Sequence, residues 1–344
     1  MQDLTDAITR GELSPGQIEA AADALLDEGG EAEAKARFLA ALADRGEKPG
    51  EIAGLASAFL KRAVVPEIDP GSLGKPMLDV CGTGGDKLGL FNISTASVFV
   101  LAACGVAVVK HGNRGNTSPS GGADVLEALG IDIGLAPGRV GVCLAEVGAA
   151  FLFAPHYHPA FKAVAPVRKR LAEEGRRTVF NLLGPLLNPA RPAHQLIGVF
   201  DPAVGPVFAS ILPKLGRENA WVVHGRTETG TGMDELSTLG PTLVWRTGSP
   251  DPLESTIEPT SLALSLAATK DLHGGDAREN AAILLGIFTG EERGPKREIV
   301  VLNAAAGLVV AGLAADLSEG LQRAAEAIDA GTALAVLERW RTFS

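Results

Sequence analysis

Cysteine is scarce in this chain: Cys81, Cys104 and Cys143 are the whole complement in 344 residues. Their number is odd, no two have CxxC spacing, and each lies in an apolar or tight-loop setting. This argues against a disulfide framework and reads as reduced structural thiols in a cytosolic protein. Basic residues are outnumbered, with 31 Lys and Arg against 41 Asp and Glu, for a formal net charge of −10. That balance speaks against a general nucleic-acid binder, whose phosphate contacts need a basic surface. Long apolar runs are missing too: Ala96 to Val109, about 14 residues, falls short of the roughly 20 that span a bilayer. Met1 opens an acidic, amphipathic stretch rather than a charged-then-apolar leader, so the expectation is a cytoplasmic protein with neither membrane nor nucleic acid as partner. No tag, repeat or low-complexity tract stands out, and nothing makes a Ser–His–Asp constellation.

What is present begins with the means to build a large core. At 46% hydrophobic content the chain can bury one, and its length allows one large or two modest domains. The pattern changes near residue 70. Before it come helix-length segments, Leu4 to Arg10, Pro15 to Leu26 with Ser14 as cap, Glu31 to Asp44 and Pro49 to Arg62, with Gly-containing turns between them and no strand-like run. Ala63 to Lys75, rich in Pro and Gly, reads as a linker. Beyond it, strand-like runs at 77–81, 106–109, 150–153, 195–200, 219–224, 241–245 and 299–302 alternate with helices, the signature of α/β architecture. The expected fold is α/β: a small all-helical N-terminal domain over 1–70, and a larger domain over 71–344 with a central, mostly parallel sheet.

The most informative stretch is 79–124, where three glycine- and hydroxyl-rich turns follow or interrupt short apolar runs. Met77 to Cys81 is too short for a helix and ends at Gly82-Thr83-Gly84-Gly85, so it reads as a buried strand entering a loop. Three glycines in four positions let backbone N–H groups approach an anion, because no Cβ blocks the way and positive φ is allowed. Asn92-Ile93-Ser94-Thr95-Ala96 then opens an apolar helix, with Asn, Ser and Thr in the capping region. Its N-terminus supplies unpaired donors and the positive end of a dipole. A β-branched run at 106–109 ends in Lys110-His111-Gly112-Asn113-Arg114, which sets cations at a strand's carboxyl end, where ligands bind in open α/β sheets. Thr117-Ser118-Pro119-Ser120-Gly121-Gly122 comes next. A lone Gly-Thr-Gly-Gly is usually a tight turn; no packing argument requires this whole order.

The span resembles the donor site of the anthranilate phosphoribosyltransferase family, in the nucleoside phosphorylase type II-like superfamily. The resemblance resumes at Phe153-Ala154-Pro155 with His158-Pro159, at Pro166-Val167-Arg168 and at 178–189. It continues at His224-Gly225 with Met233-Asp234-Glu235, at Gly274-Gly275-Asp276 with Glu279-Asn280-Ala281, and at 299–306. It implies a crossover segment of about 155–187 that joins the helical domain, and an active site in the cleft between domains. It also implies phosphoribosyl transfer from phosphoribosyl pyrophosphate to anthranilate in tryptophan biosynthesis, by magnesium-assisted dissociative displacement without a protein nucleophile. Donor contacts then fall on Gly82, Thr83, Gly84, Gly85, Asp86, Leu90, Asn92, Ser94, Thr95, Lys110 and Ser120. Anthranilate contacts fall on Gly82, His111, Asn113, His158, Arg168 and Gly184. Ser94, Asp234 and Glu235 would hold Mg2+, two ions bound together with the pyrophosphate. The family pairs through its helical domain, so a homodimer is expected.

Read without the family, Asp234-Glu235 in a Gly- and Thr-rich loop is more often a solvated turn, and Arg168, beside Lys169 and Arg170, more often a solvated helix face. Lys87, Leu88, Gly89 and Leu90 stand where the family usually has Gly and then Thr before Phe-Asn; Pro119 replaces a usual Lys, Phe161 a frequent Met, and the connection 226–233 is lengthened. These departures leave the acceptor open. Two other readings stand beside this one: a pyrimidine-nucleoside phosphorylase on the same scaffold, in which the acid pair would be idle, and a non-enzymatic nucleic-acid-binding relative, which predicts a basic rim.

Overall fold

In a computed structural model the structure describes residues 1–115, 119–247 and 253–343. The chain divides into two compact units, one formed by Met1–Val65 with Ala154–Pro189, the other by Pro66–Phe153 with Ala190–Ser344.

The first unit is helical. It opens with α1 (Gln2–Arg10), α2 (Pro15–Leu26), α3 (Ala32–Arg45) and α4 (Pro49–Lys61). Ser14 caps α2 as expected: its Oγ accepts from the Gln17 N–H while Gln17 Oε1 accepts from the Ser14 N–H, with Pro15 at the first helical position. Ile18, Leu25, Phe38, Leu39, Leu42, Leu55 and Phe59 form its core. The returning segment, helical in pattern from Pro155 to Ala172, is broken into Ala154–Tyr157, a 3-10 turn over Pro159–Ala163, and Ala165–Glu173. Pro159 explains the first break, since proline drives the residue before it from the helical region and His158 has φ −124° and ψ 57°, while Pro166 falls in the first turn of Ala165–Glu173, where its missing N–H costs nothing.

The second unit is built on one sheet of eight strands, β1 (Met77–Gly82), β2 (Ala107–Gly112), β3 (Ala149–Phe153), β4 (His194–Gly198), β5 (Asn219–Arg226), β6 (Gly232–Met233), β7 (Thr242–Arg246) and β8 (Leu253–Ile257). Their order is β3-β2-β1-β4-β5-β7-β8, with β6 beside β5. The five strands from β3 to β5 run parallel, and β6, β7 and β8 are antiparallel. Buried on both faces, the parallel strands are mostly apolar, with Asp79, Lys110 and Gln195 as buried exceptions, which is why they were legible in the sequence. Gly82 pairs with Gly198 in register, so the carboxyl ends of β1 and β4 meet at one edge.

One expectation fails here, and two strands were not anticipated. The run at 299–302 is not a strand but part of a helix, Pro295–Val310, started by Pro295 and continued by Asn303-Ala304-Ala305-Ala306. A β-branched run is ambiguous when a helix is buried all round, and this one is buried at every position from Ile299 to Leu308. The expected strands also leave out β6 and β8; β8 is an edge strand whose Glu254 and Thr256 are exposed and which carries no apolar run.

Candidate active site

The carboxyl edge of the sheet gathers the glycine loop, a helix N-terminus and the acid pair. After β1, Gly84 and Gly85 adopt φ of 68° and 96°, and Lys87 is left-handed at 57°. Thr83 N–H donates to the Gly198 carbonyl (2.9 Å), tying the loop to β4. Asp86 closes a turn by accepting from the Leu88 N–H at 3.2 Å. Leu90 bridges to His273, and Phe91 N–H donates to the Leu272 carbonyl, so the loop's far end is held by the segment before Gly274.

The helix Ile93–Ala103 starts at Asn92, but the Asn92 side chain does not cap it. Asn92 Oδ1 instead accepts from Asn280 Nδ2 (2.8 Å), and Asn280 Oδ1 accepts from the Gly275 N–H (2.8 Å). The N-terminal donor goes to a distant carboxylate: Ser94 N–H donates to Glu235 Oε1 at 3.1 Å. Its neighbour does the same on the glycine loop, where Gly84 N–H donates to Asp234 Oδ2 at 2.7 Å. Each carboxylate therefore occupies a backbone donor of the kind a phosphate oxygen uses. Thr95 is buried, and Lys110, 5% exposed, reaches the site from β2, donating to the Val80 carbonyl and to Ser94 Oγ (3.2 Å). Ser120 is buried at the mouth of the next turn, and its carbonyl accepts from Asn92 Nδ2 at 3.4 Å. Thr117 and Ser118 lie outside the described residues.

The acid pair is delivered by a hairpin. The lengthened connection 226–233 is a stitched turn in which Thr227 N–H donates to the Thr231 carbonyl (2.9 Å) and Thr231 N–H to Thr227 Oγ1 (3.0 Å); β6 then pairs back on Gly225 and Arg226. Three strand-end glycines make room for the pair. A Cβ on Gly82 would lie 2.1 Å from Asp234 Oδ2, one on Gly198 1.6 Å from the Asp234 carbonyl oxygen, and one on Gly225 2.4 Å from that of Glu235. Gly198 was missed by sequence reasoning, and its only signal was a glycine closing the apolar run Leu196-Ile197.

Burial raises the Asp234 carboxyl above its ordinary range, with the nearby charge of Asp86 adding to it; burial and then Asp234 raise Glu235, with Lys110 opposing. Negative charge thus outweighs positive at this edge. Among the described residues no three His, Cys, Asp or Glu side chains cluster to hold a metal by themselves. The donor set fits Mg2+ nonetheless, because that ion is typically held by one or two carboxylates and completed by phosphate oxygens.

His111 and Asn113 stand at the end of β2 and just past it. His111 N–H lies 3.5 Å from Asp79 Oδ1, and Asn113 Oδ1 accepts from the Arg114 N–H. In the first unit His158 is kept neutral by burial, and its Nε2–H donates to the Leu187 carbonyl (2.9 Å). Its ring stacks on Phe161 at 5.0 Å, and Phe161 meets Phe59 and Phe180 edge-on. The Arg168 guanidinium lies over Phe180 at 4.7 Å. Lys169, Arg170 and Arg176 all pair with carboxylates. Arg168 has no carboxylate partner among the described residues, and burial lowers its pKa. It is not the solvated helix face that its neighbours are. Gly184 has open space where a Cβ would stand, so nothing in the structure demands glycine there.

Glycine loop, helix N-terminus and acid pair meet at the carboxyl edge of a parallel sheet, an α/β arrangement whose donors suit an anion accompanied by a divalent cation. Comparison with known proteins narrows this. A family described as "Glycosyl transferase family, a/b domain" matches residues 74–334, and its helical bundle domain matches residues 2–63. The chain is 47% identical to anthranilate phosphoribosyltransferase of Rubrobacter xylanophilus over 95% of its length and 92% of the relative's. The crystal structure of the enzyme of that name from Thermus thermophilus superposes with a TM-score of 0.89 at 41% identity, covering 99% of this chain and 98% of that one. That from Saccharomyces cerevisiae, in complex with PRPP and Mg, gives 0.88 at 27% identity over 98% and 96%. The chain belongs to the anthranilate phosphoribosyltransferase family of glycosyl transferases.

Proposed function

We propose that the protein transfers the 5-phosphoribosyl group of phosphoribosyl pyrophosphate (PRPP) to the amino group of anthranilate, giving N-(5-phosphoribosyl)anthranilate and pyrophosphate in tryptophan biosynthesis. The observation that carries this reading is the seat of Asp234 and Glu235 on the Gly84 and Ser94 amides. Phosphorolysis of a nucleoside would leave that pair idle.

In this reading Gly82 to Asp86, Leu90, Asn92, Ser94, Thr95, Lys110 and Ser120 bind the donor. Backbone amides and Lys110 take the phosphate oxygens, preorganised toward the charge that develops on the leaving group. Ser94, Asp234 and Glu235 would hold Mg2+, two ions with the pyrophosphate, and the metal would supply neutralisation of the departing charge. Bond breaking at the anomeric carbon runs ahead of bond making, so the amine attacks an already electrophilic carbon and no protein nucleophile is used. For the acceptor, Arg168 offers its planar fork to the carboxylate, and the family likeness adds His158, Gly184, Gly82, His111 and Asn113 as anthranilate contacts. A homodimer formed through the helical unit and a cytoplasmic location complete the proposal.

The test monitors anthranilate fluorescence with PRPP, with and without magnesium. Loss of signal that requires both, and that falls by at least 100-fold in Asp234→Asn/Glu235→Gln, supports the reading; magnesium-independent turnover would overturn it.

A further inference from the structure

We propose that Asn303 is a positioning residue that holds the Asp234–Glu235 pair in register with its two backbone donors; this rests on the metal role proposed above for that pair. Asn303 is 1% exposed, on a helix otherwise lined here by Val, Leu and Ala. A buried amide is costly unless its groups are paired. Its Oδ1 accepts from the Leu236 N–H (3.0 Å), and its Nδ2 donates to the Leu236 carbonyl (3.0 Å) and to the Ile299 carbonyl (2.9 Å). The reciprocal pair on Leu236 is the pairing a neighbouring β-strand would give, made here by one side chain. Leu236 is the residue directly after Glu235, so the acid cannot shift along the chain without breaking it.

The same helix fixes the other partner. Gly307, one turn beyond Asn303, lets it lie close against Ile93–Ala103, since a Cβ there would come within 2.7 Å of Leu101 Cδ2. One rigid element thus holds both the acid loop and the helix whose N-terminus carries Ser94. The cavity lined by Asn303, Glu235, Ser94 and Ser97 measures about 10 Å³, scarcely one water molecule. Asn303 is itself almost wholly buried and its amide is committed to Leu236 and Ile299, so it acts through the loop and does not touch the reactants.

The experiment compares Asn303→Leu and Asn303→Asp with Leu308→Ala, a fully buried apolar site on the same helix that controls for lost stability. Calorimetry of magnesium with inorganic pyrophosphate is the binding readout, and hydrogen exchange at the Leu236 amide the structural one. Asn303→Leu is expected to weaken magnesium–pyrophosphate binding by about 10- to 100-fold, speed exchange at Leu236 and raise the magnesium KM, with the anthranilate KM unchanged. Leu308→Ala lowers the melting temperature and keeps the affinity. If Asn303→Leu does not fold, Asn303→Asp, which keeps the acceptor and loses the donor, carries the same comparison. Unchanged affinity in a folded Asn303 variant, or an equal loss in Leu308→Ala, overturns the inference. Absence of magnesium–pyrophosphate binding by the unaltered protein overturns the metal reading beneath it.

Discussion

Gly198→Ala tests whether the acid pair is held by the sheet edge. The added Cβ would stand 1.6 Å from the Asp234 carbonyl oxygen and 2.2 Å from its carbon. Ordinary contact needs about 3.5 Å, so the Asp234 backbone must retreat by roughly 2 Å. Both colliding atoms are backbone, so no side-chain rotation relieves the clash. The Gly84–Asp234 hydrogen bond, 2.7 Å long, cannot survive such a shift. Overpacking of this kind costs about 1–3 kcal/mol of stability, and a misplacement of about 1 Å can cost roughly 100-fold in rate. The expectation is a folded protein that melts a few degrees lower, with kcat/KM reduced at least 100-fold and a raised magnesium KM. Gly16→Ala is the control, since nothing lies within 4 Å of a Cβ there. Activity of Gly198→Ala within about threefold of the parent, at unchanged magnesium dependence, would refute the reasoning, because a shift of roughly 2 Å leaves no such margin.

Arg168→Lys keeps the charge but loses the planar fork stacked on Phe180. It should raise the anthranilate KM by about 10- to 150-fold, the equivalent of one charged hydrogen bond, and leave the PRPP KM alone in steady-state kinetics. The acid pair also sets a pH dependence of stability. Asp234 and Glu235 have raised pKa values in the folded protein, so the folded state holds their protons more tightly than the unfolded chain does. Their contribution is fully present below the ordinary carboxylate range and is lost as pH rises through the folded pKa values. Without magnesium, the melting temperature should therefore fall from about pH 5 toward neutrality and above, and this decline should flatten in Asp234→Asn/Glu235→Gln when measured by calorimetry.

The parts of the fold legible in the sequence are those where one local rule decides. Ser14-Pro15 announces α2 because cap and proline act within four residues, and Met77 to Cys81 announces β1 because a parallel strand buried on both faces is mostly apolar, here all but Asp79. The run at 299–302 deceived because burial all round erases the periodicity that separates helix from strand. Within the site, the glycine loop and Lys110 could be read for the same reason, each being a local feature at a strand end. The positions of Gly198, Gly225 and Asn303 could not. Their meaning comes from the backbone of residues 234–236, which reaches them only through the sheet register and a helix far along the chain.

The capping of Ile93–Ala103 shows why that distinction matters for function. The local pattern sets Asn92, Ser94 and Thr95 together in the capping region, and Asn is among the residue types that most often cap. Had Asn92 taken the Ser94 amide, Glu235 would lose that donor, which favours its charged form against the effect of burial. The fold instead commits Asn92 to Asn280 and leaves the amide for Glu235. Two carboxylates are thereby drawn to the donors of an anion site, with Asp86 adding charge of the same sign and Lys110 the opposing cation. Such an arrangement is unfavourable for a bare anion and favourable for an anion that arrives with divalent cations, because only the cation turns the acids from rivals of the phosphate into its partners. A site meant for inorganic phosphate alone would gain nothing from placing acids there. Under the proposed function, the choice of cap at one helix suits the site to pyrophosphate accompanied by metal rather than to a bare phosphate.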